Sequence, residues 1–429
     1  PMPNAQSPIP HYQLPITKII TMNKQTCPFH AGNEYKPFSK EQLDNPYKFY
    51  QRARNEQPIF YSELLNAYVI TRYDDVLEIL KNPTVFSSAK SLQAIGEFSP
   101  EVINELRQGF PVVSLIGSDG DEHKRLRAPL QKAFAPQRLI KAEESIRATA
   151  NQLVDNYIHN GAVDIMSEFS HPLPLEVILK MYKVPLDKMS LVKKAGNSTS
   201  ALFSTPLTLE RQIECAKSYV DLQNYLASLI ESRRSAPGDD LISELQTSDL
   251  TLPEQVLLLC EIVIAGHKTT ASLIGTAVKL LVENSQIWQS LQENPALIPT
   301  AVEEVLRYDT SAPTMIRVTT QEVNLSGVTI PEDSRVLVLF SSANRDSKQY
   351  ENSENFDINR FQDTPINHLA FSHGKHHCLG YNLARRHAKV AIEILSTRIP
   401  SLRIVPNQEL NHIPTLLDRG YESLKLEWD

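Results

Sequence analysis

A ten-residue loop that carries one cysteine, Phe371–Gly380, constrains this chain more than any other feature of its sequence. Apolar residues recur after Gly380 at the three- and four-residue spacing of a helix face, so Cys378 stands directly before an amphipathic helix. The free N–H groups and partial positive charge at a helix start stabilise an anion, which favours a thiolate at Cys378. Gly374 and Gly380 remove side chains where a flat ligand must approach the backbone.

A cysteine in this setting allows several readings. A lone cysteine is most often a small buried apolar residue. The neighbouring His373, His376 and His377 raise the alternative of a zinc site. Structural zinc sites usually pair two spaced ligand doublets, and no second doublet follows at a suitable distance. Covalent attachment of a c-type haem needs Cys-x-x-Cys-His, which the sequence lacks. The flanking glycines favour a soft axial ligand to haem iron.

The pattern Phe-x-x-Gly-x-His-x-Cys-x-Gly, which runs from Phe371 to Gly380, resembles the signature of the cytochrome P450 family of haem-thiolate monooxygenases. The resemblance implies a mainly α fold with small β-sheets, the cytochrome P450 fold, in a single large domain. It also implies that Cys378 is the axial thiolate ligand of haem b, with Phe371 and Gly380 beside the cofactor. We expect an extended N-terminal segment over residues 1–35 and the haem-thiolate domain over residues 36–429.

Length and composition narrow the class of protein. The 429 residues would by length alone suggest two or three domains, but no linker or low-complexity segment divides the chain. A net charge of −7 argues against general nucleic-acid binding. Apolar runs are far shorter than a membrane span, and the N-terminus has no basic-then-apolar signal. Four widely spaced cysteines argue against a disulfide framework. We therefore expect a cytoplasmic protein that binds no membrane.

Helical patterns predominate between residues 136 and 308. They are interrupted around residues 198–206 and 235–240. Short strands follow, and two of them flank Ser326-Gly327, which predicts a hairpin. The region from residue 86 to residue 117 lacks clear periodicity and is expected to be a long substrate-facing loop with a short helix.

A second motif, Ala265–Thr270, lies inside a long apolar helix predicted over residues 253–284. The hydroxyl of Thr269 can donate to the carbonyl of Ala265, four residues earlier, and such bonds bend helices and open a groove. By itself the motif also describes an ordinary threonine pair on a buried helix. In the family that it resembles, Ala-Gly-x-acid-Thr-Thr is the oxygen-activation pattern. The resemblance makes Thr269 a catalytic residue and places Ala265 where this helix crosses the haem.

Lys268 departs from that pattern, because the family usually has an acid before the threonine. The acid is associated with proton delivery from solvent, so we expect Lys268 to be a catalytic residue too. It can pair with an acidic neighbour, for which Glu261 is one candidate. Alternatively, it can bind a substrate carboxylate or shift the enzyme towards direct use of peroxide.

Two groups of charged residues complete the resemblance. Glu304 and Arg307 share a helix face and on an exposed helix would form only a weak pair; in the family they meet a later arginine, here Arg360, in a structural network. Haem propionates need cationic or hydrogen-bonding partners. The matching positions are His123, Arg127, Arg317 and His376, each of which alone would more often be a surface charge or a satisfied core histidine.

No flavin- or nucleotide-binding motif is present, so electrons are expected from a ferredoxin or flavodoxin with its reductase. Four basic residues around the cysteine loop suit an acidic donor, although each also fits a solvated helix face: Lys375, Arg385, Arg386 and Lys389.

The sequence thus predicts a monooxygenase that hydroxylates or epoxidises an apolar small molecule of polyketide macrocycle, terpenoid or fatty-acyl type. The residue segments 86–117 and 194–211 correspond to the family's variable pocket walls. Lys268 motivates two alternatives that keep the haem: a peroxygenase, or a redox-neutral isomerase or dehydratase. A non-catalytic haem-binding or recruitment protein is the remaining alternative.

Overall fold

The computed structural model describes residues 29–91, 97–111 and 114–429. Its helices are α1 (Ala31–Glu34), α2 (Lys40–Asp44), α3 (Tyr47–Glu56), α4 (Tyr73–Lys81), α5 (Pro100–Leu106), α6 (Gly120–Ala133), α7 (Pro136–Asp155), α8 (Pro172–Met181), α9 (Met189–Ser204), α10 (Leu209–Ser235), α11 (Leu241–Leu245), α12 (Leu252–Glu283), α13 (Ser285–Glu293), α14 (Ile298–Tyr308), α15 (Phe340–Ala343) and α16 (Tyr381–Arg398). Its strands are β1 (Ile59–Ser62), β2 (Ala67–Ile70), β3 (Phe86–Ser87), β4 (Ala162–Asp164), β5 (Thr314–Thr319), β6 (Val323–Leu325), β7 (Val328–Ile330), β8 (Arg335–Leu339), β9 (Arg403–Ile404) and β10 (Lys425–Glu427).

The strands form three small sheets. The largest has the order β1-β2-β8-β5-β3, in which β2 and β8 run parallel and the other neighbours run antiparallel. The second has the order β4-β10-β9, and β6 pairs with β7 in the third. Ser326 and Gly327 both have positive φ, 47° and 83°, as a two-residue hairpin turn requires. The predicted hairpin and the predicted mainly α fold with small sheets are confirmed.

Helix α12 is the central element of the fold. The sequence starts it with a capping box, because Glu254 Oε2 accepts hydrogen bonds from the Thr251 backbone N–H at 2.7 Å and from its hydroxyl at 3.0 Å. The helix packs against α8, α9, α10 and α16. Among the described residues it is the one helix long and apolar enough to cross a membrane, and most of that stretch is buried inside the protein, as in a core helix.

The break in the helical pattern predicted over residues 198–206 is shorter in the structure. Helix α9 continues to Ser204, and the chain leaves the helix only at residues 205–208. The polar side chains that suggested a break are satisfied inside the helix: Thr199 and Ser204 donate their hydroxyls to the carbonyls four residues earlier, at 2.8 and 2.6 Å.

The expected extended segment over residues 1–35 falls mostly on residues outside the described ranges, as does Cys27. Its last part is not extended, because α1 forms there. Phe29 and Tyr35 are 1% and 2% exposed, and Tyr35 stacks on Phe49 of α3 with ring centroids 5.4 Å apart. The packed part of the chain thus includes Phe29, which precedes the boundary predicted at residue 35.

A buried carboxylate ties α3 to the C-terminal part of the chain. Asp309 Oδ1 accepts hydrogen bonds from Arg419 Nε at 2.6 Å and from the Tyr47 hydroxyl at 2.5 Å. Burial opposes the charge on Asp309, but Arg419, Tyr47 and Arg345 together lower its pKa to about 2. Arg419 also donates to the carbonyl of Leu43, at 2.5 Å.

Replacement of this carboxylate tests its contribution. We expect Asp309→Asn to lower the free energy of unfolding by roughly 3–5 kcal/mol, because it leaves the Arg419 charge buried without its partner. The folded-state pKa of Asp309 is depressed, so its stabilisation is complete above the unfolded-state pKa and is lost as pH falls through about 2. Thermal unfolding from pH 7 to pH 2 should show wild type and variant converging below about pH 4. A constant difference across that range would contradict this assignment.

Candidate active site

The loop that carries Cys378 is shaped by backbone contacts. The Cys378 N–H donates to the carbonyl of Phe371 at 2.9 Å, which closes the loop on itself. Gly374 has a φ of +71°, and a Cβ there would lie 2.8 Å from the carbonyl oxygen of Leu80, so only glycine fits. Gly380 precedes the first residue of α16, which confirms the predicted loop-to-helix junction.

Phe371 packs beside this loop. The Arg385 guanidinium lies 4.7 Å from the centroid of the Phe371 ring, and the Tyr381 ring centroid is 6.3 Å from it. Gly380 leaves room next to Phe134, whose ring carbon would be 3.9 Å from an added Cβ. An alanine at position 380 would thus meet no clash within the protein itself, so nothing in the chain's own packing demands glycine there.

The Cys378 side chain is exposed, yet burial within the surrounding protein raises the pKa of its thiol. The backbone N–H of Gly380 and the charges of Arg127 and Arg385 act in the opposite direction but are outweighed. The helix start alone therefore does not produce the thiolate that the sequence led us to expect. A thiol that is exposed and yet surrounded by protein points to a cavity beside it, where a bound metal cation would supply the missing stabilisation of the thiolate.

One face of α12 is open in the same way. Ala265 is exposed and Thr269 is half-exposed, whereas the adjoining His267 and Thr270 are 0% and 4% exposed. Thr269 Oγ1 donates to the Ala265 carbonyl at 2.6 Å, as its spacing predicted. Since α12 packs on α16, the helix that follows Cys378, we infer a cavity between this face and the cysteine loop.

Polar groups from three different segments gather near the cysteine loop. The rings of His123, on α6, and His376 have centroids 4.2 Å apart. His376 Nε2 lies 3.5 Å from Asp119 Oδ1, and Asp119 also accepts hydrogen bonds from the Ser87 hydroxyl and the Ser88 N–H. Burial and the nearby Arg317 lower the pKa of His376 to about 4. Burial also lowers the pKa of His123, so both rings are neutral near pH 7.

Arg317 is a buried cation beside this cluster. It is 4% exposed, donates to the neighbouring carbonyl of Ile316 at 2.8 Å, and forms no ion pair within the described residues. Burial lowers its pKa to about 10, which leaves it charged at neutral pH. His123 Nε2 is likewise buried without a hydrogen-bond partner. A buried polar group without a partner is stabilised when a ligand supplies one, and a ligand carboxylate would suit both Arg317 and His123.

Arg127 differs from these groups because its partner lies in the cysteine loop itself. Its Nη2 donates to the carbonyl of His377 at 2.7 Å. Burial lowers the pKa of the guanidinium, and the charge of Cys378 opposes that effect. Of the four residues predicted to bind propionates, His123, Arg317 and His376 group together, and Arg127, whose charge also acts on His123, supports the cysteine loop in addition.

Comparison with known proteins decides the family. Residues 210–397 match the family described as Cytochrome P450. The chain is 33% identical over 388 residues to cytochrome P450 107B1 of Saccharopolyspora erythraea, an alignment that covers 87% of this chain and 93% of the relative. The chain belongs to the cytochrome P450 family. It is also 32% identical over 375 residues to mycinamicin IV hydroxylase/epoxidase of Micromonospora griseorubida, covering 84% and 89% of the two chains.

Solved structures agree with this assignment. The structure of cytochrome P450 CREJ in complex with (4-ethylphenyl) dihydrogen phosphate matches with a TM-score of 0.88 at 30% identity, covering 93% of this chain and all of that one. The protein is therefore a P450 monooxygenase with a haem-thiolate cofactor. Its own residues fit that group: Cys378 is exposed in the loop before α16, while Arg317 and His123 are buried donors suited to two propionates.

Lys268 does not pair with Glu261, as one sequence-based alternative proposed. Its Nζ is 3.8 Å from Asp418 Oδ2 and donates to Ser200 Oγ at 3.2 Å. Glu261 instead accepts hydrogen bonds from the Ser114 hydroxyl and, at 3.0 Å, from the Leu115 N–H. Burial raises the pKa of Glu261 to about 7. Lys268 is 7% exposed, and its ammonium is directed towards Ser200 and Asp418 and not towards Glu261.

Ser200 and Asp418 hold the Lys268 ammonium inside the protein, which argues against the alternative in which Lys268 binds a substrate carboxylate. Asp418 is the residue that sequence reasoning missed. It lies 150 positions after Lys268, in no motif that was recognised, and no periodicity joins the two.

The structural network around Glu304 is confirmed. Arg307 donates to both carboxylate oxygens of Glu304 at 2.7 Å, and both side chains are fully buried. Arg360 Nε reaches Glu304 Oε2 at 3.1 Å.

The basic residues expected to attract a redox partner are mostly neutralised by internal pairs. Arg385 binds Glu303 at 2.6 and 2.7 Å. Arg386 and Lys389 both contact Glu143. These three basic residues join α16 to α7 and α14, so they contribute to packing as well as to the surface potential. Lys375 is exposed and forms no ion pair within the described residues. Of the four basic residues expected to attract a redox partner, it is the one whose charge stays available.

The buried cation at position 317 provides a test of cofactor binding. We expect Arg317→Leu to weaken binding of haem to the apoprotein roughly ten- to a hundred-fold, since a hydrogen bond to a charged group contributes about 1.5–3 kcal/mol. Titration of apoprotein with hemin would measure this change. Arg403→Leu, which removes an exposed arginine from β9, is the matched control and should leave the affinity within two-fold. Equal affinities for the two variants would exclude Arg317 from the haem site.

Proposed function

We propose that this P450 hydroxylates or epoxidises an apolar small molecule, taking one oxygen atom from O₂ and electrons from a separate ferredoxin or flavodoxin with its reductase. The observation that carries the proposal is the open face of α12, where Ala265 and the back-bonded Thr269 lie on the cavity side. The chain contains no nucleotide-binding motif of its own. We also propose the cytoplasm as its location.

The bound haem, held by the Cys378 thiolate, supplies the oxygen activation. The chain's own residues prepare the space around it. Ala265 keeps the distal side open because it is small, which leaves room for a bulky substrate. The Thr269 hydroxyl donates a hydrogen bond to the Ala265 carbonyl, so its lone pairs are free to accept a hydrogen bond from a donor in the groove.

Apolar walls support an apolar substrate. The two segments expected to form the pocket, residues 86–117 and 194–211, meet in the described structure: Val102 of α5 and Leu202 of α9 belong to one buried cluster. The rings of Phe98 and Phe203 lie 5.9 Å apart at their centroids, in an edge arrangement. Residues 92–96 and 112–113 of the first segment lie outside the described ranges.

The names of relatives point to the substrate class. One relative acts on mycinamicin IV by its name, as a hydroxylase/epoxidase. We propose a macrocycle of polyketide type first, with terpenoid and fatty-acyl compounds as further candidates. The peroxygenase alternative that Lys268 motivated receives less support, because Asp418 brings an acid to the lysine from another segment.

The substrate class is testable by titration of the ferric protein. A panel of macrolactones, terpenoids and fatty acids should include compounds that produce a saturable shift of the haem absorbance towards high spin, as displacement of bound water requires. We expect macrolactones to bind most tightly. Preference for free carboxylates over macrolactones would contradict the macrocycle as first choice and would place a substrate carboxylate at Lys268 despite its buried position.

Removal of the cysteine tests whether Cys378 binds the haem iron, on which the whole proposal depends. We expect Cys378→Ala to abolish the red-shifted Soret band of the reduced, CO-treated protein and all oxidation of the panel compounds. Cys215→Ala is the matched control, because Cys215 is a buried free cysteine on α10. The control should keep the band. Loss of the band in both variants, or in neither, would refute the role of Cys378.

A further inference from the structure

Lys268 and Asp418 form the centre of a polar cluster inside the protein. Lys268 Nζ lies 3.8 Å from Asp418 Oδ2, which leaves space for an intervening water. Ser272, one helical turn after Lys268, donates its hydroxyl to Asp418 Oδ1 at 2.8 Å. The Lys268 and Asp418 side chains are 9% and 3% exposed. A charged pair this deeply buried is stable only with additional polar partners.

A turn near the C-terminus, residues 412–420, holds Asp418 against α12. Gly420 makes this approach possible, since a Cβ at position 420 would lie 2.7 Å from Ser272 Cβ and 3.2 Å from its Cα. On one side of Asp418, the Thr415 hydroxyl is 2.6 Å from the Ser204 hydroxyl of α9. On the other side, Arg419 is tied to Asp309. The turn is thus fixed to three parts of the protein.

Several buried polar atoms along this turn lack a hydrogen-bond partner. They are Asp418 Oδ2 and both ring nitrogens of His412, which form no direct hydrogen bond within the described residues, although Lys268 Nζ lies 3.8 Å from Asp418 Oδ2 and Asp44 Oδ1 lies 3.7 Å from His412 Nδ1. Buried polar groups are almost always hydrogen-bonded, and where protein supplies no partner, ordered water does. These unpartnered atoms therefore indicate water along the turn.

A narrow cleft connects the same residues. Its volume is about 40 Å³, and its lining includes Tyr35, His412, Thr415 and Asp418. At one end Gln42, Leu43 and Ile413 are half-exposed, whereas Asp418 lies at the buried end. A polar cavity of this size holds about two or three water molecules.

We propose that Asp418 is a proton-relay residue that receives protons from solvent through this cleft and passes them to Lys268, so that the acid absent from position 268 is supplied by the C-terminal turn. The inference rests on the proposed monooxygenase function. It identifies an entry route for protons and a residue that no motif had marked.

The transfer conserves protons and needs no redox step. Starting from the ion pair, the Lys268 ammonium releases one proton towards Thr269, and the Asp418 carboxylate takes one proton from a water in the cleft, which solvent protonates again. The Asp418 carboxyl then passes its proton to the Lys268 amine, which restores the ion pair. The Lys268 Nζ–Asp418 Oδ2 separation of 3.8 Å suits transfer through one water.

Neighbouring titratable groups do not replace Asp418. His267, beside Lys268 in sequence, meets His171 at 3.3 Å between ring nitrogens. Burial lowers the pKa of His171 to about 4 and that of His267 well below its usual range, so both stay neutral near pH 7. Burial raises the pKa of Asp418, with Lys268 and Ser272 opposing it, which brings the carboxyl closer to the range where it exchanges protons.

The route has a structural test that does not depend on turnover. A crystal structure of the haem-loaded protein should show ordered waters between His412 and Asp418. A difference infrared spectrum of wild type against Asp418→Asn should show the carboxyl band of Asp418 shifting when H₂O is exchanged for D₂O. A dry cleft would overturn the route.

The functional test compares two ways of driving the enzyme on the panel compound that gives the largest spin-state shift. With a ferredoxin, its reductase and NADPH, we expect Asp418→Asn to lower product formation at least ten-fold. With hydrogen peroxide, which brings its own protons, the rate should change less than two-fold. The exchanged pair Lys268→Asp/Asp418→Lys should recover much of the NADPH-driven rate. An unchanged NADPH-driven rate, or equal loss in both assays, would refute the relay.

Asp240→Asn is the matched control, because Asp240 forms another buried ion pair, with Arg233 at 2.8 Å. It should lower thermal stability without separating the two assays. If Asp418→Asn fails to fold, His412→Leu tests the cleft wall with the same pair of assays and the same expected difference. An inactive wild type would count against the monooxygenase proposal itself; an active wild type with an unaffected relay variant counts against the relay alone.

Discussion

Glu304 and Arg307 form an ion pair from which water is excluded, and the chain segment leading to Cys378 is built around it. Two charges without solvent are unfavourable unless every donor finds an acceptor. The guanidinium meets this condition by donating also to the backbone carbonyls of Asn344, Ser353 and Asn355. One arginine thereby fixes a stretch with little regular structure. Arg360 adds a second cation on the same carboxylate, and the cysteine loop follows shortly after it.

The same principle applies around the inferred cavity, because each buried charge needs polar groups that stabilise it. Where the protein supplies all partners, as at Asp309, the group is structural and its pKa is far from neutral. Where the described residues supply no partner, as at Arg317 and His123 Nε2, the buried group is available to bind a ligand. Asp418 is intermediate, because one of its oxygens is satisfied by Ser272 and the other is not.

Much of the fold and part of the site could be predicted because the information is local. The cysteine loop, the Thr269 back-bond and the Ser326-Gly327 turn each depend on residues only a few positions apart. The partner of Lys268 could not be predicted, because Asp418 reaches it through a tertiary contact made possible by Gly420. The thiol pKa of Cys378 likewise depends on enclosure by distant segments, which no local pattern encodes.

The unpaired Arg317 has a consequence for the life of the protein in a cell. A folded apoprotein must keep this guanidinium buried without an anion, so it is less stable than the form in which a propionate meets it. A ligand that binds only the folded state adds stability in proportion to the logarithm of its concentration over its dissociation constant. Unfolded chains are removed by proteases, and the amount of this P450 will therefore follow the supply of haem as well as the rate of its synthesis.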